Sequence, residues 1–159
     1  MNQTIVAIDP GKNGGIAWQS PDEKACCVKM PETEGDLITL IRERACVHNT
    51  GQVVFHVENM VKHMGAGIPA SAMAVYARNF GFLCGCIQMT GCVLRLVTPQ
   101  EWMKSLGMGK KRDYEGREWK NHLKSEAQRR YPHLNITLCT ADALLILSHA
   151  TETKNPETK

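Results

Sequence analysis

The chain has no apolar stretch approaching the ~20 residues of a helical membrane span, which excludes an integral α-helical membrane protein. It also has no basic segment followed by a long apolar run at its start. Met1-Asn2-Gln3-Thr4 leads straight into a short strand pattern, so no secretory signal is expected. No low-complexity tract occurs, and 43% hydrophobic against 22% charged residues excludes a disordered or fibrous chain. The seven cysteines (Cys26, Cys27, Cys46, Cys84, Cys86, Cys92 and Cys139) match neither zinc-ligand spacing nor a secreted disulfide framework. Reduced, mostly buried thiols in a cytosolic protein are expected. Gly11-Lys12 lacks both the preceding glycine and the following Ser/Thr of a phosphate-binding P-loop, so a nucleotide-phosphate enzyme of that type is set aside.

What is present suits one compact domain: 159 residues can bury a core without metals or staples. The domain is expected over residues 1–150, with a polar, aperiodic tail at 151–159. A net charge of +3 is too mild to identify a partner. Its distribution says more, because residues 110–130 carry eight Lys/Arg against four Asp/Glu. Taken alone, such a run is first a solvated helix face.

Thr4 to Asp9 is rich in β-branched residues and stops at a Pro-Gly turn, the pattern of a buried strand. Segments 14–18 and 25–30, separated by turn residues, extend it into a three-stranded antiparallel meander. Leu37, Leu40, Ile41 and Val47 then recur at helical spacing behind Thr33 as N-cap. Gln52 to Val57 is a second strong strand, ending in Glu58. A helix is predicted from Pro69 to about Cys86, with small residues (Ser71, Ala74, Ala77, Gly81, Gly85) on adjoining faces. Val93 to Val97 is a further strand, and Thr98-Pro99 caps a short helix through Trp102. After a Gly- and charge-rich loop at 107–116, Glu118 to Arg130 reads as a basic amphipathic helix with Trp119, Leu123 and Ala127 inward. Thr140 to Ala150 is an apolar helix with Asp142 in its first turn. Strands joined partly by turns and partly through helices give a mixed α/β sheet with helices on both faces.

Three acids sit where buried elements end or begin: Asp9, Glu58 and Asp142. Each has a purely structural explanation, as a turn former, a solvated strand end and a helix-dipole partner respectively. Together they suggest more. Neighbouring strands ending on one sheet edge would join Asp9 to Glu58, and a helix across that edge would add Asp142. Convergent carboxylates repel unless a cation lies between them, and an all-oxygen set suits Mg²⁺ or Mn²⁺.

Ile8-Asp9-Pro10-Gly11 with Gly14-Gly15-Ile16-Ala17, Val57-Glu58 before a Gly-rich loop and long helix, and Ala141-Asp142-Ala143-Leu144 together resemble the RuvC-type Holliday junction resolvases of the RNase H-like superfamily. Gly67 and Ser71 after the glutamate, Thr98-Pro99-Gln100-Glu101-Trp102 followed by Leu106-Gly107, and the Thr140 to Ile146 close are similar to the shorter phage and prophage branch. The resemblance spans residues 4–150. It implies an RNase H-like five-stranded sheet, three strands antiparallel and two parallel. It further implies an endonuclease that cuts four-way DNA junctions with two Mg²⁺ ions, Mn²⁺ able to substitute, leaving 5′-phosphate and 3′-hydroxyl ends. Asp9, Glu58 and Asp142 would be the catalytic metal ligands. The setting implied is DNA recombination and repair in the cytoplasm of a bacterial or phage-infected cell.

One position departs from the pattern: Cys139 stands where such enzymes place a fourth Asp or His. Cysteine is a poor ligand for hard Mg²⁺, so either three carboxylates suffice or activity is reduced or lost. His149 lies about two helical turns beyond Asp142, too far along the helix to share its ligand site. The resemblance turns Lys62, Lys110, Lys111, Arg112, Lys120 and Lys124 into candidate phosphate contacts. Met60 and Met64, just after Glu58, become candidate wedges between unstacked bases, with a mobile loop as the alternative. Branched DNA is the implied partner, with no membrane partner. A homodimer through helix 69–86 would match the two-fold symmetry of a junction, the alternative being close packing of that helix on its own sheet. Two competing functions stand beside this one: a nuclease-dead or weakly active protein that binds branched DNA, and a nuclease for other branched substrates such as forks.

Overall fold

The computed structural model describes residues 3–46, 52–59 and 69–154. Val47, Met60, Lys62, Met64, Gly67 and the last five residues lie outside these. Strands β1 (Gln3–Asp9), β2 (Gly15–Gln19) and β3 (Cys26–Lys29) come first, then helix α1 (Glu34–Ala45) and strand β4 (Gln52–Glu58). Helix α2 (Ala70–Met89), strand β5 (Val93–Val97) and helices α3 (Pro99–Ser105), α4 (Glu118–Arg130) and α5 (Ala141–Lys154) follow, with one 3₁₀ turn at Lys111–Asp113. Among the described residues no helix is long and apolar enough to cross a membrane.

The five strands form one sheet in the order β3-β2-β1-β4-β5. β1, β2 and β3 pair antiparallel, while β4 runs parallel to β1 and β5 parallel to β4, as the turn and helix connections predict. Alternation along the central strands divides the core in two. Val6, Ile8, Ile16, Phe55 and Val57 pack with Ile41 of α1 and Leu83 and Ile87 of α2. Ile5, Ala7 and Ala17 face the opposite way, onto Trp102, Leu123 and the apolar length of α5. α5 is buried almost continuously from Ala141 to Ser148, which is why its sequence is apolar on every side.

Three expectations need correction. The cysteines are all free, but none is buried: Cys26 and Cys46 are exposed and the other five half-buried. Cys26 lies on the edge strand β3, and Cys46 is the C-cap of α1, so neither reaches the core. The last helix continues to Lys154, past the end of its apolar pattern. Thr151 and Thr153 bond back to carbonyls of the preceding turn, and Arg130 pairs with Glu152 at 2.6 Å. Helix α2 begins at Ala70 and runs to Met89, and its first half is not packed on the sheet: residues 70–75 are exposed, and the buried positions are Leu83 and Ile87.

Candidate active site

Asp9 and Glu58 come together because β1 and β4 are parallel neighbours. Ala7 pairs with His56 and Ile8 with Val57, so the two acids end their strands at the same level. Side chains alternate along a strand, which puts Asp9 with Ile5 and Ala7 on the face covered by α3, α4 and α5. Glu58 falls on that face as well, beneath α3. α5 crosses it against β1 and β2 and brings Asp142 in from its first turn, one residue after Ala141.

The turn after Asp9 is built for close approach. The Gly11 amide donates to Asp9 Oδ1 at 3.2 Å, and the Gly14 amide closes the turn onto the Gly11 carbonyl at 2.8 Å. A Cβ on Gly14 would overlap the Asp9 carbonyl oxygen and lie 2.8 Å from Asp9 Cγ. A Cβ on Gly15 would meet the Cys139 carbonyl oxygen at 2.7 Å, so this glycine lets the segment before α5 lie directly on β2. Gly14-Gly15 thus sets the distance between the Asp9 and Asp142 segments.

Glu58 is only 5% exposed, and its Oε1 accepts a 2.8 Å hydrogen bond from Trp102 Nε1. Trp102 is fully buried on α3, whose start is fixed by a capping box: Thr98 accepts from the Glu101 amide and Glu101 accepts from the Thr98 amide. Burial, then the charge of Asp9, push the Glu58 carboxyl up to about 7, against the opposing effect of the Trp102 bond. Asp9 is raised too, by burial first and by Asp142 second. Asp142 is 7% exposed; its Oδ2 accepts from Lys120 Nζ at 2.9 Å, while its Oδ1 is buried with no hydrogen-bond partner among the described residues. Burial disfavours the Lys120 ammonium, but Asp142, Asp9 and Glu58 outweigh that and raise it above the ordinary lysine value.

The three acids expected from the sequence are therefore brought to one corner: the charge of Asp142 bears on Asp9, and the charges of Asp9 and Asp142 bear on Glu58. Among the described residues no group of three His, Cys, Asp or Glu is already spaced as a metal-holding set. Lys120 lies in this corner, on Asp142. Lys110, Lys111 and Arg112 are exposed in the segment leading to α4, and Lys124 is half-buried on α4. Lys62, Met60 and Met64 fall outside the described residues. Cys139 lies in a turn before α5, not on the helix, and lines a cleft of roughly 760 Å³ with Pro10, Lys12, Asn13 and Lys29. That cleft opens beside the carboxylates and not over them. His149 takes a 2.6 Å hydrogen bond with Ser105 through Nδ1, away from the acids.

Sequence reasoning gave Trp102 no site role, and it named Lys120 as a phosphate contact, not as the partner of Asp142. Trp102 reads from sequence as the inward residue of a short helix, and nothing in its spacing points to Glu58, 44 positions away. Lys120 reads from sequence as a phosphate contact on a basic helix; the available signal for its seat on Asp142 is its place beside the inward Trp119.

No protein-family model matches the chain, and no curated protein matches it. Solved structures do. The chain is similar to Thermus thermophilus RuvC, with a TM-score of 0.59 at 17% identity over 96% of both chains. It is also similar to T. thermophilus RuvC in complex with a Holliday junction substrate, with a TM-score of 0.57 at 15% identity over 95% of both. At such identities the likeness is one of fold: a RuvC-like, RNase H-like mixed sheet, three strands antiparallel and two parallel, with helices.

Proposed function

We propose that the chain is a divalent-metal-dependent endonuclease that cleaves four-way DNA junctions, leaving 5′-phosphate and 3′-hydroxyl ends. The observation that carries this reading is the convergence of Asp9, Glu58 and Asp142 at the end of two adjacent parallel strands and the first turn of α5. The fold shared with a RuvC seen on a Holliday junction supports the choice of substrate.

The residues fit hard cations in donor chemistry: three carboxylates, with Asp142 Oδ1 buried and unbonded. Asp9, Glu58 and Asp142 would hold two Mg²⁺, or Mn²⁺ in their place. When bound, these ions supply activation of the attacking water and charge stabilisation at the leaving 3′-oxygen. The chain's own contribution is positioning. The Gly11 amide orients Asp9, the Trp102 indole orients Glu58, and Lys120 orients Asp142. Lys110, Lys111, Arg112 and Lys124, with Lys62, supply phosphate contacts along the basic segment, and Met60 and Met64 supply the wedge at the crossover. A second copy bound through α2 pairs two such sites across the junction's two-fold axis. Recombination or repair in the cytoplasm of a bacterial or phage-infected cell is part of the same proposal.

The test is cleavage of a synthetic four-way junction against a matched linear duplex in Mg²⁺, with wild type and Asp9→Asn in parallel. Paired symmetric nicks on the junction alone, lost in Asp9→Asn, are expected. Tight junction binding with no cleavage in Mg²⁺ or Mn²⁺ would refute the nuclease and favour a branched-DNA binding protein. Cys139→Asp is then the variant that asks whether the missing acid is the cause.

A further inference from the structure

The Lys120 to Asp142 contact is more than a surface ion pair. The Asp142 side chain is 10% exposed while that of Lys120 is 52% exposed, so the acid is fixed in the fold and the base reaches in from solvent. Its helix is anchored independently of the contact, through Trp119, Leu123 and Ala127 in the core beneath α4. The charge of Lys120 also bears on the other two acids, favouring the ionised forms of both Asp9 and Glu58. Three carboxylates packed in one buried corner repel, and an ammonium within hydrogen-bond reach of one and electrostatic reach of two offsets that repulsion.

We infer that Lys120 is a resident counter-cation of the carboxylate site, holding it assembled before loading and competing with the divalent ion for Asp142. This rests on the metal-site reading above. An ammonium on Asp142 Oδ2 draws on the charge of the same carboxylate whose unbonded Oδ1 a metal would take, and two cations do not share one buried acid without repulsion. Lys120 is the partner that can leave, because its stem is flexible and half in solvent. The site therefore gains order in the metal-free protein at the expense of metal affinity. The freed ammonium stays at the rim, where a DNA phosphate provides its next counter-charge.

The experiment measures Mn²⁺ affinity of the full chain by calorimetry and by electron paramagnetic resonance of free Mn²⁺, without DNA. Wild type is compared with Lys120→Met, Lys120→Gln, Lys120→Arg and Asp9→Asn, each with its melting temperature in chelator and in Mn²⁺. Lys120→Met and Lys120→Gln are expected to bind Mn²⁺ about fivefold tighter than wild type or more. They should also melt lower than wild type in chelator and gain more from Mn²⁺. Lys120→Arg should stay near wild type. A lysine variant that folds only with Mn²⁺ present supports the inference as well. Equal or weaker Mn²⁺ binding by both neutral variants, with wild type binding and Asp9→Asn not, overturns the inference and leaves the metal site standing. No Mn²⁺ binding by wild type or by either neutral variant overturns the metal-site reading and this inference with it.

Discussion

The indole N–H of Trp102 donates 2.8 Å to Glu58 Oε1, joining a fully buried residue of α3 to the carboxylate at the end of β4. The bond favours the ionised acid, opposing burial and the charge of Asp9, which both push Glu58 the other way. Trp102 is thus a positioning residue whose loss acts through Glu58.

Trp102→Phe keeps an aromatic ring in the core and removes only the donor and part of the volume. It should destabilise the protein by about 2–4 kcal/mol, combining a smaller side chain with an unpaired buried acceptor. The Glu58 carboxyl should rise further, so the acidic limb of the cleavage pH profile moves to higher pH. A profile that keeps its position while stability falls would show that Trp102 only fills space.

Glu58 and His56 lie two residues apart on one face of β4 and respond oppositely to pH. Glu58 is raised from 4.5 to about 7, so its contribution to stability is present below pH 4.5 and lost as pH rises through 7. His56 is lowered from 6.5 to about 4, by burial and then by Arg95, so its contribution is present above pH 6.5 and lost as pH falls through 4. Each is worth about 3 kcal/mol by linkage, and between pH 4.5 and 6.5 the two slopes cancel. In chelator, Glu58→Gln should unmask the His56 slope, its stability falling from pH 6.5 toward 4. The margin of Glu58→Gln over wild type should widen from pH 4.5 to 7 and then stay level. Urea titrations across this range check both, and a margin independent of pH would sink the account.

The sheet was readable because its strands obey period two and end at turn residues, and the acids because they close apolar runs. Asp9 and Glu58 could be paired from sequence once β1 and β4 were taken as neighbours. Lys120 and Trp102 could not, since their contacts to Asp142 and Glu58 depend on how α3 and α4 seat on the sheet. The cysteines misled because hydrophobic composition says nothing about an edge strand or a helix end. The run of α5 to Lys154 was hidden because its last turn is held by threonine hydroxyls and the Arg130 to Glu152 pair, not by apolar spacing.

Gly14→Ala tests the turn beneath Asp9. The new Cβ would overlap the Asp9 backbone, which pairs with Gly15 of β2 and directly follows Ile8, itself paired with Val57 of β4, and so has little room to yield. A loss of about 2–3 kcal/mol is expected from overpacking and backbone shift. Mn²⁺ binding should fall along with it, because Asp9 Cγ lies 2.8 Å from the added atom. Gly11→Ala, whose Cβ meets Asp9 Oδ1 at an ordinary 3.5 Å, should be far milder in both measurements.

Helix α2 carries the proposed pairing of two copies, and its glycines separate the two roles a small residue can have. If Gly81 were needed for packing within one chain, a Cβ there would meet neighbouring atoms; among the described residues it meets none within 4 Å, and Gly81 is exposed. Gly81→Leu should therefore leave the single chain folded, and helix propensity alone adds up to about 1 kcal/mol of stability. Between two closely approaching α2 helices the same side chain has no room, so sedimentation equilibrium should show self-association weakened at least about tenfold, near 1.4 kcal/mol. Melting of the dilute, monomeric protein should not fall. Unchanged self-association in Gly81→Leu would exclude this face of α2 as the interface, because a close helix crossing cannot accept a leucine in place of a glycine without moving apart.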